Sequence, residues 1–380
     1  MRSAYESYQE DKALELLKAE ATQGRDIDKL LVMLDHGAIL HAKGDWQASI
    51  EVLQKADDFA QQLDTVSVSE EVGAVLSNEG TKTYRGEDYE KLLISVMQAI
   101  NYAQLGKEED ALVEVRRLND RLEVMIAKQD KKYEQLAIAR YLSAVLHEDQ
   151  HEWDDAAIDY LAAAKVAPDL GDAAAGAVLR LAKQTERDDD YQALKKKYPG
   201  VDDKPVPAGS GQVVVVLEAG KAPRKTSSQR ENRGGLIVVP VYDKANLVGV
   251  GPTKVGIDGK SVTSAVVTSV NDVARRWLED RIGKLIAKSV ASLAVKAGAA
   301  AVVGGLTKSK ELGALAFGLM TLTQQADTRS WLSLPAEYQV ARAVVAPGKH
   351  TVSVNLHGHP VEREVEVKAG RIGLVVIRQY

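Results

Sequence analysis

LDHGAILHAKGDWQASIEVLQKADDF, residues 34–59, decides the fold of the first half of the chain. Small and apolar residues recur at helical spacing on both sides of one glycine, which predicts two helices joined by a tight turn. Gly44 marks that turn, and Gly37 sits where the two helices approach closely. Trp46, Ser49, Leu53 and Ala56 fill the groove between them, since small residues let paired helices pack without a clash.

The pattern returns twice. In MQAINYAQLGKEEDALVEVRRL (97–118), Ala99, Tyr102, Gly106, Ala111, Val115 and Leu118 take the matching places. In SAVLHEDQHEWDDAAIDYLAAAKVAPD (143–169), Ala144, Trp153, Ala156, Tyr160 and Ala163 do so, and Pro168 closes the unit because proline ends a helix. These units carry the tetratricopeptide pattern. The positions equivalent to Trp46 are Glu108 and Trp153, so the spacing is irregular. A helix from Tyr5 to Ala21 opens the array, and a shorter pair near Ala173–Tyr198 caps it with a polar outer face. Stacked in this way, the helices offer a concave surface to a peptide or to the chain's own second half.

Between the first two units lies NEGTKTYRGEDYEKL (78–92), a polar insertion holding Tyr84, Arg85, Gly86, Asp88 and Tyr89. Long insertions often carry function, and Glu87 and Asp88 also start a helix favourably. Residues 147–151, His147-Glu148-Asp149-Gln150-His151, spell the H-E-x-x-H of zinc proteases. That chemistry needs both imidazoles on one continuous helix. Here His151 falls at the turn occupied by Gly44 and Gly106 in the other copies, so no metal site is expected. His357 and His359 share a strand face and are read as solvated.

PGVDDKPVPAGSG (199–211) divides a helical region, residues 1–198, from an extended one, residues 212–380. GQVVVVLEAG (211–220) and LIVVPVYD (236–243) predict strands, with a mobile basic loop between them carrying Lys221, Arg224, Lys225, Arg230 and Arg233. Asp258-Gly259 predicts a hairpin turn. HTVSVNL, VEREVEV and RIGLVVI predict a closing meander, half of a β-sandwich. A helical insertion at about 271–326 splits the strands. It opens with Leu278, Ile282, Leu285 and Leu293 on one face and continues into an Ala/Gly-rich hairpin. The predicted fold is α+β and multidomain: an N-terminal all-α tetratricopeptide-like solenoid, then a β-sandwich-like domain with that hairpin inserted.

Composition narrows the function classes. With no cysteine, disulfides, thiolate nucleophiles and cysteine zinc sites are excluded. No uncharged apolar run reaches the roughly 18 residues of a membrane span. Residues 1–200 hold 25 Lys+Arg against 39 Asp+Glu, and the remainder 24 against 15. Halves of opposite sign attract each other or face different neighbours. The basic half lacks a nucleic-acid module and has few aromatics, so nucleic acid is not expected as a partner.

The irregular units, GTKTYRGEDYEKLL (80–93), QVVVVLEAGKAPRK (212–225) and ADTRSWLSLPAEYQVAR (326–342) together resemble an uncharacterised family of bacterial tetratricopeptide lipoproteins over nearly the whole chain. The resemblance implies a periplasm-facing protein of the outer membrane, held by an acylated cysteine that these residues do not include. Some members are encoded near lipoproteins that activate peptidoglycan synthases. Two spots stand out in the resemblance: Tyr84, Arg85, Asp88 and Tyr89 in the insertion, and Asp327, Arg329 and Trp331, with Leu334 and Pro335, where the helical insertion returns to the sheet. An Asp–Arg pair beside a tryptophan can clamp a carboxylate or a peptide, or form a structural corner. The leading expectation is a non-enzymatic envelope scaffold or adaptor, without cofactor, that binds a protein or peptide through its helical repeats. The alternative is membrane docking or oligomerisation through residues 285–322. A cell-wall hydrolase ranks last, since no paired carboxylates or metal set is evident.

Overall fold

The computed structural model describes residues 1–23, 26–70, 82–129, 136–232, 235–307 and 326–380. Helices come first: α1 (Arg2–Tyr5), α2 (Glu10–Gln23), α3 (Lys29–Lys43), α4 (Trp46–Glu70), α5 (Asp88–Gln104), α6 (Glu108–Gln129), α7 (Ala137–Asp149), α8 (Trp153–Val166), α9 (Gly171–Gln184) and α10 (Asp188–Lys197). From α3 on they pack as consecutive pairs, and each pair turns through one residue in the left-handed region. These residues are Gly44 (φ 86°), Gly106 (φ 68°), His151 (φ 63°) and Glu186 (φ 56°). The register read from Gly44 and Gly106 therefore holds, and His151 does the work of a glycine. Gly37 also sits as expected: a Cβ there would collide with the Leu53 side chain of the partner helix.

Other expectations are corrected. The opening helix is broken, because Tyr8 adopts φ 57° between α1 and α2 so that its ring can pack on Tyr380. Trp153 does not fill a groove. As the first residue of α8 it lies at the helix end, 36% exposed, against the His151 ring. Trp46 and Tyr102 are half-buried, whereas Ala99, Ala111, Ala144, Ala156 and Tyr160 are fully buried as predicted. Pro168 lies exposed just beyond the end of α8.

The strands are β1 (Gly211–Ala219), β2 (Lys225–Asn232), β3 (Gly235–Tyr242), β4 (Lys254–Ile257), β5 (Lys260–Thr263), β6 (Ala265–Ser269), β7 (Glu337–Val345), β8 (Gly348–Leu356), β9 (His359–Val367) and β10 (Ile372–Gln379). One sheet runs β10-β1-β7-β6, a second β5-β4-β8-β9, and β2 and β3 form a separate ribbon. The basic loop expected between the first two strands is thus largely strand β2, and its Lys225 is buried. Arg233 lies outside the described residues. The closing meander also divides: β8 and β9 stay together, but β10 crosses to pair parallel with β1. The Asp258-Gly259 turn has both residues at positive φ (50° and 76°), as the hairpin requires.

The first sheet is buried on both faces, which is why β1 reads as an uninterrupted valine run. Val213, Val215 and Leu217 join Val255, Val352, Val354, Val375 and Ile377 in a core shared by the two four-stranded sheets. Val214 and Val216 join the helices instead, in a core running from Leu30 to Val376. The first helix of each pair meets the sheet, so α5 and α7 bury nearly every side. The face that the helix pairs turn toward the sheet is therefore covered by the chain's own strands.

Among the described residues one helix, α11 (Val270–Thr307), stands between β6 and β7. Its first turns bury Ala274, Trp277 and Leu278, while Ile282 and Ile286 pack on Val239 and Val241 of β3. Further along, Ala297, Gly298, Ala301 and Val302 are exposed. The second arm of the expected hairpin falls on residues 308–325, outside the described residues. Among the described residues no helix is long and apolar enough to cross a membrane.

Candidate functional site

The two spots singled out in the sequence meet, although some 240 residues separate them. Segment 326–335 lies against α3 and the start of α5. Glu87 caps α5 and Glu90 closes the capping box, taking the Glu87 amide at 2.8 Å. Glu90 also accepts the Tyr84 hydroxyl (2.5 Å) and the Trp331 amide (2.6 Å). The Trp331 indole donates to Ser333 (2.7 Å), whose hydroxyl donates to Asp35 of α3 (2.6 Å). Arg329 stacks over the Tyr84 ring and binds Asp327 (2.7 Å), Asp28 (2.7 Å) and the Lys82 carbonyl (2.9 Å). Tyr89 shares a 3.1 Å hydrogen bond with Tyr242 of β3, and Glu87 pairs with Lys225 (2.5 Å) and Arg281.

This arrangement is a joint. Tyr84, Tyr89 and Trp331 are buried, and the Arg329–Asp327 pair is consumed inside the chain. Two residues expected with them lie at its edge. Arg85 donates to the Leu63 carbonyl (3.1 Å), and Asp88 lines a groove of about 570 Å³ between α4, α5 and α6. Burial pushes the Asp35 carboxyl up to about 7; the Ser333 hydrogen bond opposes this, and the Glu90 charge adds to it. Glu90 is raised too, by burial and then by Glu87. Burial works against Glu87 as well, but Lys225 and Arg281 outweigh it and hold Glu87 below the usual range.

The H-E-x-x-H letters serve a different purpose. The helix ends at Asp149, so His147 sits in its last turn and His151 in the turn beyond. Glu148 points inward. It accepts Tyr160 (2.7 Å), Gln212 of β1 (3.1 Å), Arg342 of β7 (2.6 Å) and Arg180 of α9. Arg342 also binds the Tyr160 hydroxyl (2.6 Å) and Gln212 (2.9 Å). Burial alone would raise the Glu148 carboxyl, yet Arg342 and Arg180 hold it at about 2. Next to it, Asp149 takes Arg371 and the Ile372 amide at the start of β10.

On the surface, ligand atoms of His147, Glu152 and Asp155 lie within 4.8 Å of one another, the one such group among the described residues. Glu152 and Asp155 are exposed at the N-terminus of α8, whose partial positive charge opposes a cation. The 2.5 Å contact between His147 Nδ1 and Glu152 accounts for the arrangement as a hydrogen-bonded helix start. His357 and His359 line an open cleft of about 900 Å³ beside Tyr8 and Tyr380.

Sequence reasoning missed Asp35, Glu90, Ser333, Glu148, Arg342 and the buried pair His41–Glu218 (3.2 Å). One signal was present: Glu218, Arg342 and Arg378 are charged residues set inside valine-rich strands, where a charge is kept only when paired. Compared with protein-family models, curated proteins and solved structures, the chain matches none of them.

Proposed function

We propose that the protein is a non-enzymatic scaffold of the bacterial cell envelope that holds a polypeptide partner. In this reading its helix pairs are tetratricopeptide-like repeats and its two facing sheets a β-sandwich. The observation that carries it is the core shared between the helix pairs and the sheet. The repeats are locked onto the chain's own sheet by a continuous core, which makes a stiff frame. Two of its buried carboxylates are spent inside the chain, Glu90 on the Tyr84 hydroxyl and the Trp331 amide and Glu148 on Arg342 and Arg180. The partner therefore meets the outer helices or the clefts at the seam, not the groove through which repeats of this kind hold peptides. Crosslinking and mass spectrometry on the native, envelope-bound protein is expected to recover a specific partner. Failure to recover any partner under several conditions would sink the proposal.

The second reading, membrane docking or oligomerisation through residues 285–322, is favoured by the exposure of Ala297, Gly298, Ala301 and Val302 on α11, where Val302 is 60% exposed. Residues 308–322 of that segment lie outside the described residues. Liposome flotation and light scattering test it: a monomer that ignores lipid argues against it.

A further inference from the structure

Residues 326–335, which lead from the helical insertion into β7, form neither helix nor strand. Side chains tie them to the helices instead. The Trp331 amide donates to Glu90 of α5 (2.6 Å), and the Ser333 hydroxyl donates to Asp35 of α3 (2.6 Å). The Tyr5 hydroxyl of α1 donates to the Ser333 carbonyl (3.1 Å), and Arg329 reaches Asp28 (2.7 Å) and the Lys82 carbonyl (2.9 Å). Leu334 belongs to the sheet side: its carbonyl accepts the Ala222 amide (3.0 Å) and Arg378 (3.2 Å). Residues 327–333 are thus a flap hinged at Leu334 and held by a few side-chain bonds. Such a segment opens at lower free energy than the sheet beside it.

Asp35 sits buried in the middle of that contact, and its surroundings suit an acid that keeps its proton. Ser333 favours the charged form, through its hydroxyl and its backbone. The charged neighbours oppose it: Glu90 from α5 and Glu20 from α2. Among the described residues no base pairs with Asp35. Lys225 and Arg281 are taken by Glu87, and Arg329 by Asp327 and Asp28. Glu90, which faces Asp35, accepts the Tyr84 hydroxyl, the Glu87 amide and the Trp331 amide, with the Tyr89 hydroxyl at 3.5 Å. Burial lifts Asp35 to about 7. Protonated, it is a neutral partner for Ser333. Ionised, it is a charge buried beside a second acid, which is costly unless the contact gives way. In the opened form the carboxyl returns toward the ordinary 3.8. Seating is therefore strongest below about pH 4, weakens as pH rises toward 7 and levels off beyond it.

We propose that residues 327–333 form a proton-operated latch: protonated Asp35 seats the segment on α3 and α5, and ionised Asp35 releases it about Leu334, baring the Trp331 ring. The device goes beyond the scaffold reading and does not depend on it. Hydrogen exchange of the Trp331 amide in the whole protein tests it, with Asp35→Asn as the variant that keeps the latch seated at every pH. At any one pH the intrinsic exchange rate is common to both proteins, so the ratio of wild-type to variant exchange reports the latch. That ratio is expected to grow roughly a hundredfold from pH 5 to pH 8, most of it below pH 7. Val215, paired on both sides in β1, is the reference for opening of the sheet. At pH 8 the wild-type Trp331 amide is expected to be at least about tenfold less protected than the Val215 amide. A ratio that stays constant with pH would overturn the proposal. Equal protection of Trp331 and Val215 would overturn it too, because the two would then exchange by unfolding of the whole chain. Should Asp35→Asn fail to fold, the wild-type Trp331 profile, corrected for the intrinsic rate, carries the same two outcomes.

Discussion

Asp35 and Glu148 are both buried carboxylates, yet their neighbours drive them in opposite directions. Asp35 has one hydroxyl partner and a neighbouring acid, Glu90, so its folded pKa of about 7 lies above the ordinary 3.8. A raised carboxyl favours the protonated folded state. Its stabilising contribution is full below about pH 4 and is lost as pH rises through 7, on the order of 4 kcal/mol at most. Asp35→Asn keeps an acceptor for Ser333 and is expected to raise stability above pH 7 by about 2–4 kcal/mol, with little gain at pH 4. Chemical denaturation at the two pH values reads the difference. Glu148 behaves in the reverse sense. Held at about 2 against an ordinary 4.5, it stabilises the fold above pH 4.5 and loses that contribution as pH falls through 2. Glu148→Gln leaves the buried Arg342 without its counter-charge and is expected to cost about 3–5 kcal/mol at pH 7, measured by the same denaturation.

The helix pair is an element whose turn demands one left-handed residue. Gly44 and Gly106 meet that demand without strain, whereas His151 meets it with a side chain. His151→Gly is therefore expected to stabilise the protein by about 1 kcal/mol, seen as a raised thermal midpoint. Strand β1 shows a second element-level rule. Its helix-facing row is Gln212, Val214, Val216, Glu218: polar at both ends and apolar between. Gln212 meets Glu148 and Arg342, and Glu218 meets His41, so the strand is pinned to the helices at both ends of a hydrophobic seam.

Across the whole molecule, the opposite charges of the two halves find each other. Lys225 and Arg281 meet Glu87, Arg329 meets Asp28, Arg342 meets Glu148, Arg371 meets Asp149 and Lys221 meets Glu6. In every one of these pairs the acid lies before the 199–211 segment and the base after it. With one hydrophobic cluster running from Leu30 to Val376, the halves are expected to unfold together. Scanning calorimetry should give a single transition whose calorimetric and van't Hoff enthalpies agree. Two separated transitions would show that the seam is weaker than the cores it joins.

Local geometry was legible in the residues alone. Gly37, Gly44 and Gly106 set the helix pairs, Asp258-Gly259 set the hairpin, and the alternation of VEREVEV matches a strand with Val361, Val365 and Val367 turned inward. Those features depend on near neighbours in the chain, whose spacing is written in the sequence. It took long-range packing to make KTSSQREN a strand, to send β10 from its meander to β1, and to bring Tyr84 and Trp331 into one joint. Each of those outcomes rests on a partner distant in sequence, and periodicity carries no record of which distant surface completes a buried face. The sheet-facing side of the helix pairs is the largest such case. Its apolar residues announce that something will cover them, and it took the folded chain to show that the cover is the chain's own valine-rich sheet.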